Sequence, residues 1–105
     1  MDAQQLQALV AEFVHKHGLD ADIEARLLDL VSEVGELSKE ALRGSAYGGK
    51  EFRVTGAWGS EMGDVLYSLV CLANATGTDL GAALRDAMAK YEARLATKGD
   101  AGSGR

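Results

Sequence analysis

Apolar residues recur at a spacing near 3.6 in four stretches of the chain, and nowhere do apolar and polar positions alternate long enough to specify a strand. The stripe Leu6, Leu9, Val10, Phe13 and Val14 predicts an amphipathic helix from about Asp2 to His17, stopped by Gly18, since glycine readily adopts the left-handed conformation that ends helices. Leu27, Leu30, Val31, Val34, Leu37 and Ala41 predict a second helix from about Asp20 to Arg43, opened by acidic capping residues and closed by Gly44. A third runs from about Ala57 to Thr76, before Gly77. A fourth carries Leu80, Ala83, Leu84, Ala87, Met88, Tyr91 and Leu95, to about Ala96. Proline, the strongest helix breaker, is absent. The pattern predicts an all-α fold.

Two segments lack a stripe. Gly44 to Gly56, G-S-A-Y-G-G-K-E-F-R-V-T-G, is a long loop for so small a domain, and loops of this kind often act as lids. Thr97 to Arg105 has almost nothing to bury and is expected to be a disordered tail, which leaves residues 1–96 as a single domain. At 105 residues, 47% of them hydrophobic and 26% charged, the chain is apolar enough to fold around one core. The third helix is apolar around most of its girth, more than three neighbours in a chain of this size can cover. A homodimer or higher homo-oligomer is therefore expected to complete the bundle.

The net charge of -5 disfavours nucleic acid and anionic membrane surfaces as partners and suits ligands that bring cations. Cys71 is the only cysteine, which excludes an intramolecular disulfide and fits a reducing, cytoplasmic setting. The longest nearly apolar run, Val65 to Ala75, falls well short of the roughly 20 residues that span a bilayer.

Candidate chemistry lies in two short acidic pairs, Glu33 and Glu36 in S-E-V-G-E-L and Glu61 and Asp64 in S-E-M-G-D-V-L. In an i, i+3 pair both carboxylates leave the same side of a helix one turn apart, so two such helices packed together gather four carboxylates. Like charges so placed repel unless a cation joins them, and hard oxygen donors suit Mg²⁺ or Mn²⁺. On the second helix alone, Glu36 lies opposite the apolar stripe with Asp29 and Glu40 nearby, the pattern of an ordinary solvated face. The third helix differs. Glu61, Asp64 and Ser68 share a narrow polar lane on an otherwise apolar helix, and carboxylates in such a place are seldom left without a partner. Gly35 and Gly63 sit inside the two pairs, and close helix approach would explain glycine at both.

E-V-G-E-L at Glu33–Leu37 and E-M-G-D-V-L at Glu61–Leu66 together resemble the E-x-x-E and E-x-x-D signature of the MazG-like all-alpha nucleoside triphosphate pyrophosphohydrolases. L-A-N-A-T-G-T-D-L from Leu72 and A-K-Y-E-A-R from Ala89 extend the likeness, which covers about Ile23 to Arg94. The resemblance implies a four-helix MazG-like bundle that splits a nucleoside or deoxynucleoside triphosphate into a monophosphate and pyrophosphate. It also implies magnesium held by Glu33, Glu36, Glu61 and Asp64. One position departs from the pattern: the glutamate that commonly precedes E-x-x-E in this family is Ser32 here. Serine is a poor general base, so either Glu40, one turn beyond Glu36, is the substitute or water activation rests on the metal alone.

A triphosphate also needs cationic contacts. Lys90 and Arg94 share a face of the fourth helix, with Lys90 favoured by the resemblance, and Lys50 and Arg53 lie in the glycine-rich loop. Asn74 is placed either to contact base or sugar or to cap the third helix. Trp58, one turn before Glu61, is placed to stack on a base, although tryptophan more often serves a core or an interface. His15 and His17 point in different directions and are read as surface residues, and Cys71 as a small core residue. Two alternatives stand beside the triphosphate reading: a phosphoribosyl-ATP pyrophosphohydrolase, and a non-catalytic nucleotide- or metal-binding regulatory module in which Ser32 marks lost water activation. A di-iron carboxylate bundle is set aside, since neither histidine follows a glutamate at E-x-x-H spacing.

Overall fold

The structure is a computed structural model and describes residues 1–102, so the last three tail positions, 103–105, lie outside it. It contains four helices and, among the described residues, no strand: α1 (Ala3–His17), α2 (Ile23–Gly44), α3 (Trp58–Ala75) and α4 (Leu80–Lys98). Local chemistry sets the ends. Asp2, Asp22 and Asp79 each accept a backbone N–H in the first turn of α1, α2 and α4, and Gln5 returns the bond to Asp2 to complete a capping box. Gly18 closes α1 in the left-handed conformation with φ 62°. The fourth helix runs to Lys98, two residues past the expected end, because Gly99 rather than Thr97 supplies the left-handed cap.

The largest packing contact joins α2 and α3. Arg26 lies near Tyr67, Glu33 near Asp64, and Glu40 near Thr55, so the two helices run antiparallel. Val70, Cys71 and Ala73 of α3 are the buried apolar residues, with Val70 fully enclosed. The first helix rests on α3, where Phe13 meets Tyr67 edge to face at 6.0 Å. Gln7 binds α1 to the α3–α4 turn. Its side chain donates to the Asn74 carboxamide and to the Thr78 carbonyl and accepts from the Leu80 N–H, while Asn74 donates back to the Gln7 carbonyl.

The fourth helix packs on α1 and makes no comparable contact with α2 or α3. The molecule is consequently open. Its radius of gyration is 16.7 Å, against about 13 Å for a compact chain of this length. Its accessible surface is 7512 Å², whereas roughly 5,700 Å² is usual for a folded monomer of this mass. Met62, Leu66 and Leu69 of α3, Val31 and Val34 of α2, and Leu84 and Met88 of α4 are all exposed. No helix among the described residues is long and apolar enough to cross a membrane.

Candidate metal centre

The antiparallel α2–α3 pair turns sequence spacing into a site. Carboxylate oxygens of Glu33, Glu61 and Asp64 all lie within 4.8 Å of one another, the first two residues half-buried and the third exposed. Glu36, one turn further on, is exposed and stands outside this close group, but its charge still acts on Glu33. The Glu33 carboxyl is held above the ordinary carboxylate range, first by partial burial and then by the charges of Asp64, Glu61, Glu36 and Asp29. Among the described residues no lysine or arginine is ion-paired to any of the four, the single such pair being Arg43 with Glu40. Oxygen-only donors, concentrated negative charge and an open side fit a hard divalent cation.

Gly35 and Gly63 correct one expectation. A Cβ built at either meets nothing within 4 Å, so these glycines leave open space beside the carboxylates and do not mark a tight helix crossing. The tight glycine is Gly44, where a Cβ would come within 2.6 Å of both the Phe52 ring and the Arg53 carbonyl oxygen. Alanine at the two kinds of position is expected to act with opposite sign. Gly63→Ala should raise stability by up to about 1 kcal/mol through helix propensity, and Gly44→Ala should lower it by roughly 1–3 kcal/mol through overpacking. Urea midpoints of the two variants provide the check, and a loss of stability in both would contradict the open space at Gly63.

The Gly44–Gly56 loop is folded back on the end of α2. Arg53 N–H donates to the Gly44 carbonyl at 2.9 Å, Lys50 N–H to that of Ser45 at 2.9 Å, and Phe52 packs edge-on against Trp58 with centroids 5.2 Å apart. The lock is Glu40. It is only 4% exposed, accepts the Thr55 hydroxyl on one oxygen at 2.5 Å and the Arg43 guanidinium on the other at 2.8 Å. These two hydrogen bonds, Thr55 before Arg43, hold its carboxyl below the ordinary range. A depressed folded-state pKa gives stability that is full above the ordinary value and lost as pH falls through the folded one. Hydrogen exchange at the Lys50 and Arg53 amides should therefore speed up as pH drops below 4.5, beyond the intrinsic change and less so in Glu40→Gln. Protection that stays flat from neutral to acid pH would contradict the lock.

The remaining site candidates are scattered. Lys50 and Arg53 are exposed on the loop, and Trp58 is half-buried against Phe52. Lys90 and Arg94 flank the Tyr91 ring at 5.2 and 5.8 Å on α4, away from the carboxylates' own helices. Asn74 neither caps α3 nor stands free, its carboxamide being paired with Gln7, and Thr76 takes the cap position. Ser68 and Cys71 are buried, and Ser32 is exposed beside Glu33. The sequence singled out neither Thr55 nor Gln7. Each acts through a partner 15 or 67 residues away, and no local pattern announces that.

Residues 22–97 match the family model described as the MazG nucleotide pyrophosphohydrolase domain. Among solved structures, the chain is similar to the crystal structure of the Bacillus-conserved MazG protein, a nucleotide pyrophosphohydrolase, with 26% identity and a TM-score of 0.73. The alignment covers 87% of this chain and 89% of that one. No curated protein sequence matches the chain.

Proposed function

The chain belongs to the MazG nucleotide pyrophosphohydrolase family, and on that premise we propose that it hydrolyses a nucleoside or deoxynucleoside triphosphate to the monophosphate and pyrophosphate, with Mg²⁺, or Mn²⁺ in its place, held by the α2–α3 carboxylates. The observation that carries this is the meeting of Glu33, Glu61 and Asp64 without a basic partner, which concentrates charge that folding alone does not use. In this family setting a bound cation would neutralise phosphate charge and make a nearby water more acidic. Glu33, Glu61 and Asp64 would hold it, and Glu36 adds negative charge from the adjacent turn. With Ser32 in place of a carboxylate and Glu40 committed to Thr55 and Arg43, the proton of the attacking water falls to the cluster's own carboxylates.

Phosphate contacts are assigned to the exposed Lys50, Arg53 and Lys90 and to the half-buried Arg94, which also donates to the Ala101 carbonyl; none of the four is ion-paired among the described residues. Trp58 is assigned to the base and Asn74 to fixing α1. The exposed apolar residues of α2, α3 and α4 are assigned to contact with a second copy, because the surplus of accessible surface, close to 1,800 Å² on each chain, is what one subunit of an obligate homodimer hides.

The test is a panel of nucleoside and deoxynucleoside triphosphates and phosphoribosyl-ATP with Mg²⁺, assayed separately for pyrophosphate and orthophosphate. Pyrophosphate from the triphosphates is the expected result. Turnover confined to phosphoribosyl-ATP would move the assignment to that reaction, and no turnover with any substrate would make the chain a binding module.

A further inference from the structure

About two turns along α2 and α3 from the carboxylates lies a second polar feature. Arg26 and Cys71 are each seven residues from Glu33 and Asp64, a displacement of roughly 10 Å at 1.5 Å per residue. Here α1, the α1–α2 turn and the end of α3 enclose a cavity of about 170 Å³. Its walls include His15, Asp20, Arg26, Cys71 and Asn74. A drug-sized ligand needs at least about 300 Å³, so the cavity itself has room for a small ion and not for a whole nucleotide. The volume equals roughly six waters at their share of the liquid.

The cavity is unusual for the cation in its wall. Arg26 is only 9% exposed, yet among the described residues its guanidinium has no ion-pair partner. One N–H donates to the Leu19 carbonyl, which satisfies that donor and leaves the charge unneutralised. Tyr67 beside it does not supply the missing charge, because burial first and the neighbouring Cys71 thiol second hold its phenol above the ordinary range, against the opposing pull of Arg26, and it stays neutral. Asp20 stands exposed at the rim beyond ion-pair distance. An isolated buried charge is costly, and a guanidinium is the side chain best shaped to hold an oxyanion by paired N–H donors.

We propose that this cavity is a binding site for a small oxyanion of phosphate size, held by Arg26 from the floor and by the His15 ring from the mouth. Bound there, the anion joins α1 to the α2–α3 pair at the end opposite the Gly44–Gly56 loop. It thereby adds a link between α1 and α2, where α1 otherwise packs on α3 and α4 and is tied by Gln7. The site stands apart from the carboxylate cluster and does not depend on its metal.

The test uses the full chain in EDTA at constant ionic strength, with melting temperature and calorimetric titration as readouts and chloride as the control. Inorganic phosphate and sulfate should raise the melting temperature saturably, as a ligand specific to the folded state must. Arg26→Gln should weaken phosphate binding by roughly ten- to a hundredfold, the weight of hydrogen bonds to a charged group. Should Arg26→Gln fail to fold, His15→Ala at the exposed mouth is the second variant, expected to weaken binding by roughly three- to tenfold. The proposal is overturned if phosphate acts no differently from chloride, or if both variants respond as the wild type does. A nucleoside monophosphate that binds as well as free phosphate would overturn the small-ion assignment. If Arg26→Gln instead splits an oligomer into monomers, the missing counter-charge is a carboxylate of a second copy, and the cavity is not an anion site.

Discussion

Asp64→Asn and Glu61→Gln are each expected to reduce metal-dependent pyrophosphate release by at least about a hundredfold, since removing a ligand should cost no less than removing the outer partners that orient ligands. The protein should stay folded. Glu33, Glu61 and Asp64 stand together with no cation among their side-chain partners, and the Glu33 carboxyl is raised by burial and by those neighbours. A carboxyl with a raised folded-state pKa stabilises below its ordinary value and loses that contribution as pH climbs through the folded one, so at neutral pH the metal-free cluster opposes folding. Neutralising one member removes part of the repulsion. The metal-free melting temperature of Asp64→Asn should therefore equal or exceed that of the wild type, while the rise produced by Mg²⁺ should shrink. A carboxylate serving only in a structural ion pair would show the reverse, a fall in metal-free stability. Turnover near the wild-type level in either variant at low Mg²⁺ would remove Glu61 and Asp64 from the ligand set.

The second large effect concerns Leu69→Glu. Leu69 is 38% exposed on α3 in the single chain, and at a true surface position such a change stays within about 0.5 kcal/mol. If a second copy covers this face, the substitution loses about 2 kcal/mol of apolar burial and adds the cost of a buried charge. A loss of 2–3 kcal/mol corresponds to a fall of roughly 10–20 °C in melting temperature for a domain of this size. The wild type should sediment as an oligomer whose melting temperature rises with concentration, and Leu69→Glu should sediment as a monomer or melt early. A wild-type monomer at all concentrations, with Leu69→Glu unchanged, would leave the open shape to be explained within one chain.

The helices were legible because their signals are local. The acidic capping before α2 and Gly18 as a stop are each decided within one turn, and the ends fall within about three residues of expectation. The meeting of Glu33 with Glu61 and Asp64 was legible for a different reason: equal i, i+3 spacing on two consecutive helices leaves few ways to pair them.

What could not be read depended on the chain folding back on itself. From the sequence Glu40 reads as part of a solvated face or as a substitute base, and only the return of the loop shows it buried under Thr55. Asn74 offered its carboxamide as if to a ligand, but the partner is Gln7, on a helix whose angle to α3 no spacing rule gives. The cost of glycine inside a helix points to contact positions at Gly35 and Gly63, yet that cost is equally compatible with open space. Arg26, one cation in a helix of mixed charge, gave no sign of burial at all.

Hydrolysis is proposed to depend on a divalent cation held by the α2–α3 carboxylates. The most direct test is an anomalous difference map from crystals grown with Mn²⁺ and a non-hydrolysable triphosphate. The account predicts a manganese peak among the oxygens of Glu33, Glu61 and Asp64, with the triphosphate oxygens completing the coordination. A map with no peak there, or with manganese bound only at other carboxylates, would contradict it.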